Sequence, residues 1–386
     1  MASALYYQRP DAKYLSVDSS LTSLSGYGGT IKFGKSSKKR LQFETSFTVR
    51  SPGLEFNDIG YMRFTDIIHH GSWMGYYLRD PFLFFNYFYL NTNYWIYWNF
   101  GGELLSTNHN TNFNAQFKNH WFLRGQFNRT SESLSTTLLR GGPSFIMPGT
   151  YDMSLYLSSD QSKKLVLYTA GYIGLGDVHS YHANQVVGGA TLRPLNSMSI
   201  AFEPSYFIQH ARMQYVETTA FNGDPRYLFA ELNQKTLSFT FRLNYTVNPE
   251  LTIEYYGQPF ISAGKYYNYK IATNTRAAVF SERYKEFSSS QVSYNSSTAT
   301  YSFDENNNGT ADYTANNPDF NFRQFRSNLV VRWEYRPGST IFLVWSQGRT
   351  STASDGTFEY GNDMRSLFTM TPQNVFLVKF SYWFSL

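Results

Sequence analysis

The chain ends in NVFLVKFSYWFSL, residues 374–386, and the alternation in this stretch decides the fold. Phe376, Val378, Phe380, Tyr382, Phe384 and Leu386 fall on one side of a period-two reading, against Val375, Leu377, Lys379, Ser381, Trp383 and Ser385 on the other. Successive side chains of a strand point to opposite faces, so this is a strand with one continuous oily side. Whether that side meets protein or lipid determines the kind of molecule.

The same pattern runs through most of the sequence. It is nearly unbroken at 41–49, 198–208 and 237–247, and weaker at 25–35, 58–66, 72–80, 84–100, 104–118, 120–130, 150–159, 164–176, 182–193, 226–233 leading into 237, 251–262, 324–336 and 340–349. With the terminal segment the tally is about sixteen strands, within a range of 14–18. Short junctions such as RDPF (79–82), KNH (118–120) and RPGST (336–340) fall after every second strand, and long links lie near 131–149, 214–225, 263–323 and 350–373. Short turns on one rim and long loops on the other are the asymmetry of an outer-membrane barrel.

Composition agrees. Of 386 residues, 19% are aromatic and 16% charged, the latter well under the roughly one quarter of soluble domains. The mean hydropathy is nevertheless −0.41, as expected when oily and polar residues alternate. There is no cysteine, which removes disulfides, thiolate metal sites and cysteine nucleophiles. No apolar run reaches the ~18 residues of a membrane-spanning helix, and MASALYYQRPDAKY lacks the features of a secretory signal. The net charge of +5 includes one tight basic cluster, KSSKKR at 35–40, which reads as a solvated turn between strands and not as a nucleic-acid site.

A soluble β-sandwich also alternates. Three features favour lipid: aromatics gathered towards strand ends, as in NYFYLNTNYWIYWNF (86–100); strands of 11–15 residues, beyond the usual five or six; and charge in mid-strand on the side opposite the oil. Glu44, Glu203, Arg242, Glu254, Arg332, Glu334 and Lys379 occupy that side and are expected to line a lumen, with Arg242, Glu254, Arg332 and Glu334 forming a mixed-sign network. In hydrocarbon all backbone groups must be paired, and for sheets only closure achieves this. The expected fold is therefore all-β, a transmembrane antiparallel up-and-down barrel over 22–386. Residues 1–21 form an N-terminal segment, either periplasmic or the remnant of upstream barrel sequence.

The segments SLSGYGGTIKFGK (23–35), SPGLEFNDIGYMR (51–63), WNFGGE (98–103), LRGGP (139–143) and NPDFNFRQFRSNLVVRWEYRPGSTIFLVWSQGR (317–349) resemble the C-terminal barrel domain of a group of Bacteroidota outer-membrane proteins. In that group the barrel follows a module similar to family-9 carbohydrate-binding domains. The resemblance implies an outer-membrane location and assembly by the barrel-assembly machinery, whose C-terminal signal the last strand is similar to, with Leu386 where Phe is commonest. It transfers no catalytic residue. A segment like YYQRPDAKY (6–14) lies inside the barrel region of the group, so the module, and with it the first barrel strands, is expected to be missing here.

Two constellations could carry chemistry. In DENNNGTAD, oxygen side chains at Asp304, Asn306, Asn308 and Asp312, the Thr310 carbonyl and Gly309 follow the spacing of a calcium loop. Ala315 stands where such loops place a bidentate acid, and an Asn- and Gly-rich surface turn is the alternative. In GDVHSYH (176–182), Asp177, His179 and His182 could form a general-base pair or a metal site, against the plainer reading of solvated loop residues. No nucleophile elbow, phosphate loop or zinc-protease pattern occurs. The expectation is a non-enzymatic outer-membrane barrel in contact with lipid. It acts as a channel or surface receptor for small polar solutes such as saccharides, or alternatively as a scaffold subunit among other envelope proteins.

Overall fold

The computed structural model describes residues 10–16, 20, 22–23, 25–37, 39–57, 60–62 and 64–384. Fifteen long strands follow one another in chain order, each antiparallel to the next. They are β1 (Gly28–Lys35), β2 (Leu41–Arg50), β3 (Ile67–Leu78), β4 (Phe85–Trp98), β5 (Leu104–Phe117), β6 (Phe122–Thr130), β7 (Thr150–Ser158), β8 (Leu165–Gly176), β9 (Tyr181–Leu195), β10 (Met198–Phe221), β11 (Asp224–Asn248), β12 (Leu251–Ala272), β13 (Phe320–Arg336), β14 (Ser339–Ala353) and β15 (Gln373–Ser381). A short strand, Tyr284–Glu286, pairs with the end of β12 and completes a sixteen-stranded antiparallel sheet. Among the described residues no helix is long and apolar enough to cross a membrane, which says nothing against crossing by strands.

Register carries the alternation from strand to strand. Ile31 lies opposite Phe47, Phe47 opposite His70 and His70 opposite Ile96. At the other end Leu329 faces Trp345, and Trp345 faces Phe376 with stacked rings 6.0 Å apart. The intervening residues form a second, polar face: Lys32 lies opposite Ser46, and Arg332 opposite Phe342, which in turn faces Lys379. A slip of one residue would exchange the two faces, so the apolar pattern fixes the pairing. Along β7, Tyr151, Met153 and Leu155 are exposed while Thr150, Asp152, Ser154 and Tyr156 are half-buried, so the more covered side is the polar one.

The wall bends. Glu103, immediately before β5, and Arg276, four residues after β12, meet at 2.6 Å. Seven strand steps separate β5 from β12, about 34 Å at ~4.8 Å each, whereas four residues plus an arginine side chain reach only about 20 Å. On one rim every connection is short, from 36–40 to the two-residue turn 337–338. The other rim carries 51–66, 131–149, 273–319 and 354–372.

Several expectations need correction. Residues 60–62 and 64–66 of the supposed strand 58–66 are not in a strand; 58, 59 and 63 lie outside the described residues. A single strand, Ile67–Leu78, replaces that segment and the one predicted from 72, so the tally of sixteen is reached only through Tyr284–Glu286. The loop expected near 214–225 is strand on both sides of the turn at Asn222 and Gly223, because β10 and β11 extend far past the oily band. The loop expected at 263–323 shrinks to 273–319 for the same reason, and 354–372 contains a helix, α1 (Tyr360–Thr369). The described part of the N-terminal segment sits on the long-loop rim, where Tyr14 donates to Asp66 at 2.6 Å, and not on the short-turn rim; residues 1–9, 17–19 and 21 lie outside the described residues. Among the described residues β1 pairs with β2 and β15 with β14, and no pairing joins β1 to β15.

Among the described residues, the compact apolar cores lie at the extended ends of β10–β12. Leu228 and Ala230 are fully buried under Phe287, Phe303 and Tyr313 of the long loop, within a cluster that includes Tyr269 and Ile271. Phe229, whose side chain points the other way, is buried under Leu139, Phe145, Phe280 and Tyr284. These strand ends are covered on both faces, as a water-soluble sheet must be.

The wall predicts a face-dependent response to charge. If lipid covers the oily face, Leu155→Arg on that face of β7 should destabilise the folded protein by about 2–4 kcal/mol, whereas Ser154→Arg on the polar face should cost much less. Urea titration of the heat-modifiable folded band in lipid vesicles measures both, and equal effects would remove the distinction between faces.

Candidate functional site on the polar face

The polar face of β3–β6 is dominated by side-chain amides. In NHNTNFN, Asn108, Asn110, Asn112 and Asn114 recur at every second residue, and pairing places Asn91 and Asn93 of β4 and Asn128 of β6 beside them. Asn93 Nδ2 donates to Asn110 Oδ1 at 2.9 Å, Asn110 Nδ2 to Asn128 Oδ1 at 2.6 Å, and Asn112 Nδ2 to Asn110 Oδ1 at 2.6 Å. Trp73 Nε1 and the Tyr77 hydroxyl both donate to Asn91 Oδ1 at 3.2 Å, which ties an aromatic ledge to the ladder. An amide both donates and accepts without charge, so this surface can exchange hydrogen bonds with hydroxylated solutes while repelling neither sign of ion. Sequence reading missed it; the signal was the four alternating asparagines.

All seven charged residues expected to share one face do so. Glu44 lies opposite Gly34 and Trp73, Glu203 opposite Thr240, Glu254 opposite Asn244 and Val330, and Lys379 opposite Phe342. The mixed-sign network is smaller than expected. Arg332 pairs with Glu334 at 2.8 Å, but the Arg242 guanidinium lies 4.8 Å from the Tyr256 ring centroid, and Glu203 accepts the Tyr168 hydroxyl. Adjacent alternate positions on one strand reach each other more readily than charges separated by a strand and an aromatic ring.

The long-loop rim is tied together by ionic contacts between distant segments. Arg276 reaches Asp11 at 2.7 Å, Glu103 at 2.6 Å and Ser144 Oγ at 2.5 Å. Arg283, nearly fully buried, donates to the carbonyls of Ala277, Ala278 and Ile146 and pairs with Glu132. Lys270, fully buried, lies 3.2 Å from Glu231 and 3.0 Å from Glu286, and Glu231 also meets His210 at 2.9 Å. No local motif could have flagged these residues, because their partners lie up to 265 positions away.

The loop DENNNGTAD is held by its own backbone. Asp304 accepts from the N–H groups of Asn308 at 3.0 Å and Gly309 at 2.6 Å, and Asn308 Oδ1 accepts from Thr310 N at 2.8 Å. Asp312 accepts from Glu305 N at 2.7 Å and from both nitrogens of Asn306. The side-chain oxygens of Asp304, Asn306, Asn308 and Asp312 are therefore engaged by donors of the loop itself. Nearby, Glu305 pairs with Arg226 at 2.8 Å and accepts the Tyr313 hydroxyl at 2.9 Å. Burial first, then this hydrogen bond to a carboxylate, pushes the Tyr313 phenol well above its ordinary range, so it stays protonated as a donor.

The stretch 176–182 does not assemble a dyad. Asp177 is engaged by Arg129 at 2.6 Å, and His182, on the oily face of β9, bonds to Asn184 at 3.0 Å. Val178 and His179 turn with positive φ, which fits a tight connection between β8 and β9.

Two measurements follow. Lys270→Ala would leave Glu231 and Glu286 without their buried cation and should cost about 3–5 kcal/mol; Lys270→Ala with Glu231→Gln should recover part of the loss in the unfolding midpoint. Asp304→Ala should expose 287–317 to limited proteolysis by releasing two backbone N–H groups. The same digestion of the unmutated chain with and without chelator separates a self-held loop, which is indifferent, from a calcium-stapled one, which opens.

No curated protein matches the chain. Among solved structures, a bacterial polysaccharide outer membrane secretin aligns with 84% of this chain and 86% of its own at 9% identity, with a TM-score of 0.35, too low to bear on function. Residues 3–385 match the DUF5916 model, a domain of unknown function, and since the match spans nearly the whole sequence, the chain belongs to that family.

Proposed function

We propose that this protein is an outer-membrane β-sheet protein whose polar face admits or captures small, neutral, hydroxyl-rich solutes, saccharides among them, without catalysing a reaction. The observation that carries this reading is the amide ladder of Asn91, Asn93, Asn110, Asn112 and Asn128 with its flanking Trp73 and Tyr77. Amides match sugar hydroxyls in donors and acceptors, and aromatic faces suit the apolar faces of sugar rings. The membrane setting is supported by the continuous oily face, the length of the strands and the division into a short-turn and a long-loop rim.

The bound loops of the long-loop rim favour a second reading. Arg276 joins the N-terminal segment, the β4–β5 turn and two long loops, as expected of a scaffold whose rim presents a fixed surface to other envelope proteins. Calcium belongs to either reading as a staple of the loop around Asp304, Asn306, Asn308, Thr310 and Asp312.

Proteoliposome swelling in isotonic sugars tests the first reading. The protein should admit small neutral sugars, and Asn93→Leu with Asn110→Leu should reduce the rate several-fold with the folded band unchanged. Absence of sugar flux and of sugar binding, with stoichiometric copurifying proteins in their place, would decide for the scaffold.

A further inference from the structure

The loop 354–372 does not stand away from the wall. It lies across the oily face, with Phe358 against Tyr206 of β10 at 6.4 Å between ring centroids, Tyr360 against Phe239 of β11 at 6.4 Å and Phe368 against Phe325 of β13 at 5.2 Å. α1 is pinned there by Leu367, fully buried, and by Asp363, which accepts from Arg323 Nε at 2.8 Å and from Asn321 Nδ2 at 2.9 Å.

At 3.6 residues per turn, the helix presents a different flank on each side of this buried line. Tyr360, Met364 and Phe368 follow one another on one side, and Asn362, Ser366 and Thr369 on the other. The apolar flank meets the oily residues Phe239 and Phe325, yet Tyr360 stays 51% exposed and Phe368 45%. On the polar flank Ser366 Oγ accepts from Arg323 at 3.2 Å, and Arg323 lies nearer the long-loop rim than Phe325. The helix is thus oriented, apolar flank towards the short-turn rim and polar flank towards the long-loop rim.

The wall changes character at the same level. On the short-turn side of the contact, the oily face carries Phe202, Phe241 and Trp333, all exposed. On the long-loop side, the same alternate positions carry His210, Lys235 and Arg323. The contact residues Tyr206, Phe239 and Phe325 stand eight, nine and eleven residues from the short-turn ends of their strands at Met198, Asn248 and Arg336. At ~3.4 Å per residue and the ~40° tilt of spanning strands, this is about 21–29 Å, which brackets the ~25 Å apolar band of an outer-membrane wall.

We propose that 354–370 is a membrane-surface strap, with α1 lying flat in the lipid headgroup layer on the long-loop side. Tyr360, Met364 and Phe368 face the hydrocarbon, and Asn362, Ser366 and Thr369 face water, the arrangement of an interfacial amphipathic helix. The inference rests on the membrane reading and adds to it the surface that meets the headgroups and the depth at which the wall sits.

The native chain has no cysteine, so a single introduced one can carry a nitroxide label. In phosphatidylcholine vesicles, collision of the label with oxygen reports hydrocarbon, and collision with a water-soluble nickel chelate reports water. The oxygen-to-nickel ratio at Phe368→Cys should exceed that at Asn362→Cys at least threefold and fall below that at Leu343→Cys, within the oily wall. Tyr360→Cys, two turns from Phe368 on the same flank, should match it and takes its place should Phe368→Cys not fold. Equal or reversed ratios on the two flanks, or an apolar flank as deep as Leu343, would overturn the strap while leaving the membrane reading intact. A nickel-exposed Leu343→Cys, or a chain that does not float with vesicles, would overturn the membrane reading and the strap with it.

Discussion

The antiparallel ladder is the constraint from which the rest of this molecule follows. Each strand satisfies its backbone by pairing with the strand beside it, and because the side-chain period is two, pairing also sorts residues into two faces. Phe47, Ile96, Leu155, Leu343 and Phe376 reach one face and Glu44, Asn93, Ser154, Arg332 and Lys379 the other. Among the described residues many side chains of the oily face are exposed, while those of the polar face are half-buried along β7. Among the described residues an ordinary hydrophobic core appears where β10–β12 outrun the wall, with Leu228 and Phe229, adjacent in sequence, buried on opposite faces under different loops. One sheet thus has two regions, strand ends covered on both sides and a wall whose oily face is exposed.

This division explains which properties were legible in the sequence. Alternation identified the strands at 41–49, 198–208 and 237–247 because burial is not needed to see a period of two. It placed the seven charged residues on one face for the same reason. It failed at 60–62 and 64–66, which are not in a strand, and at 214–225, where TTAFNGDP looked like a loop. The Asn-Gly pair there is a two-residue hairpin turn with positive φ at Asn222 and Gly223, the chemistry such turns require. Length was the misleading signal: a strand of 24 residues exceeds any membrane, and only the core at its far end accounts for it.

The site was less legible than the fold. Asn108, Asn110, Asn112 and Asn114 were present as a pattern, but their meaning depends on Asn91, Asn93 and Asn128 arriving beside them, which is set by register. The ionic ties of the rim lie further from local reading, since Arg276 joins residues 11, 103 and 144. Contacts of that range are a property of curvature. They could not be drawn from charge spacing, and the expected Arg242–Glu254–Arg332–Glu334 network shows the converse, since neighbours in an inferred register dispersed onto Tyr256 and onto one another.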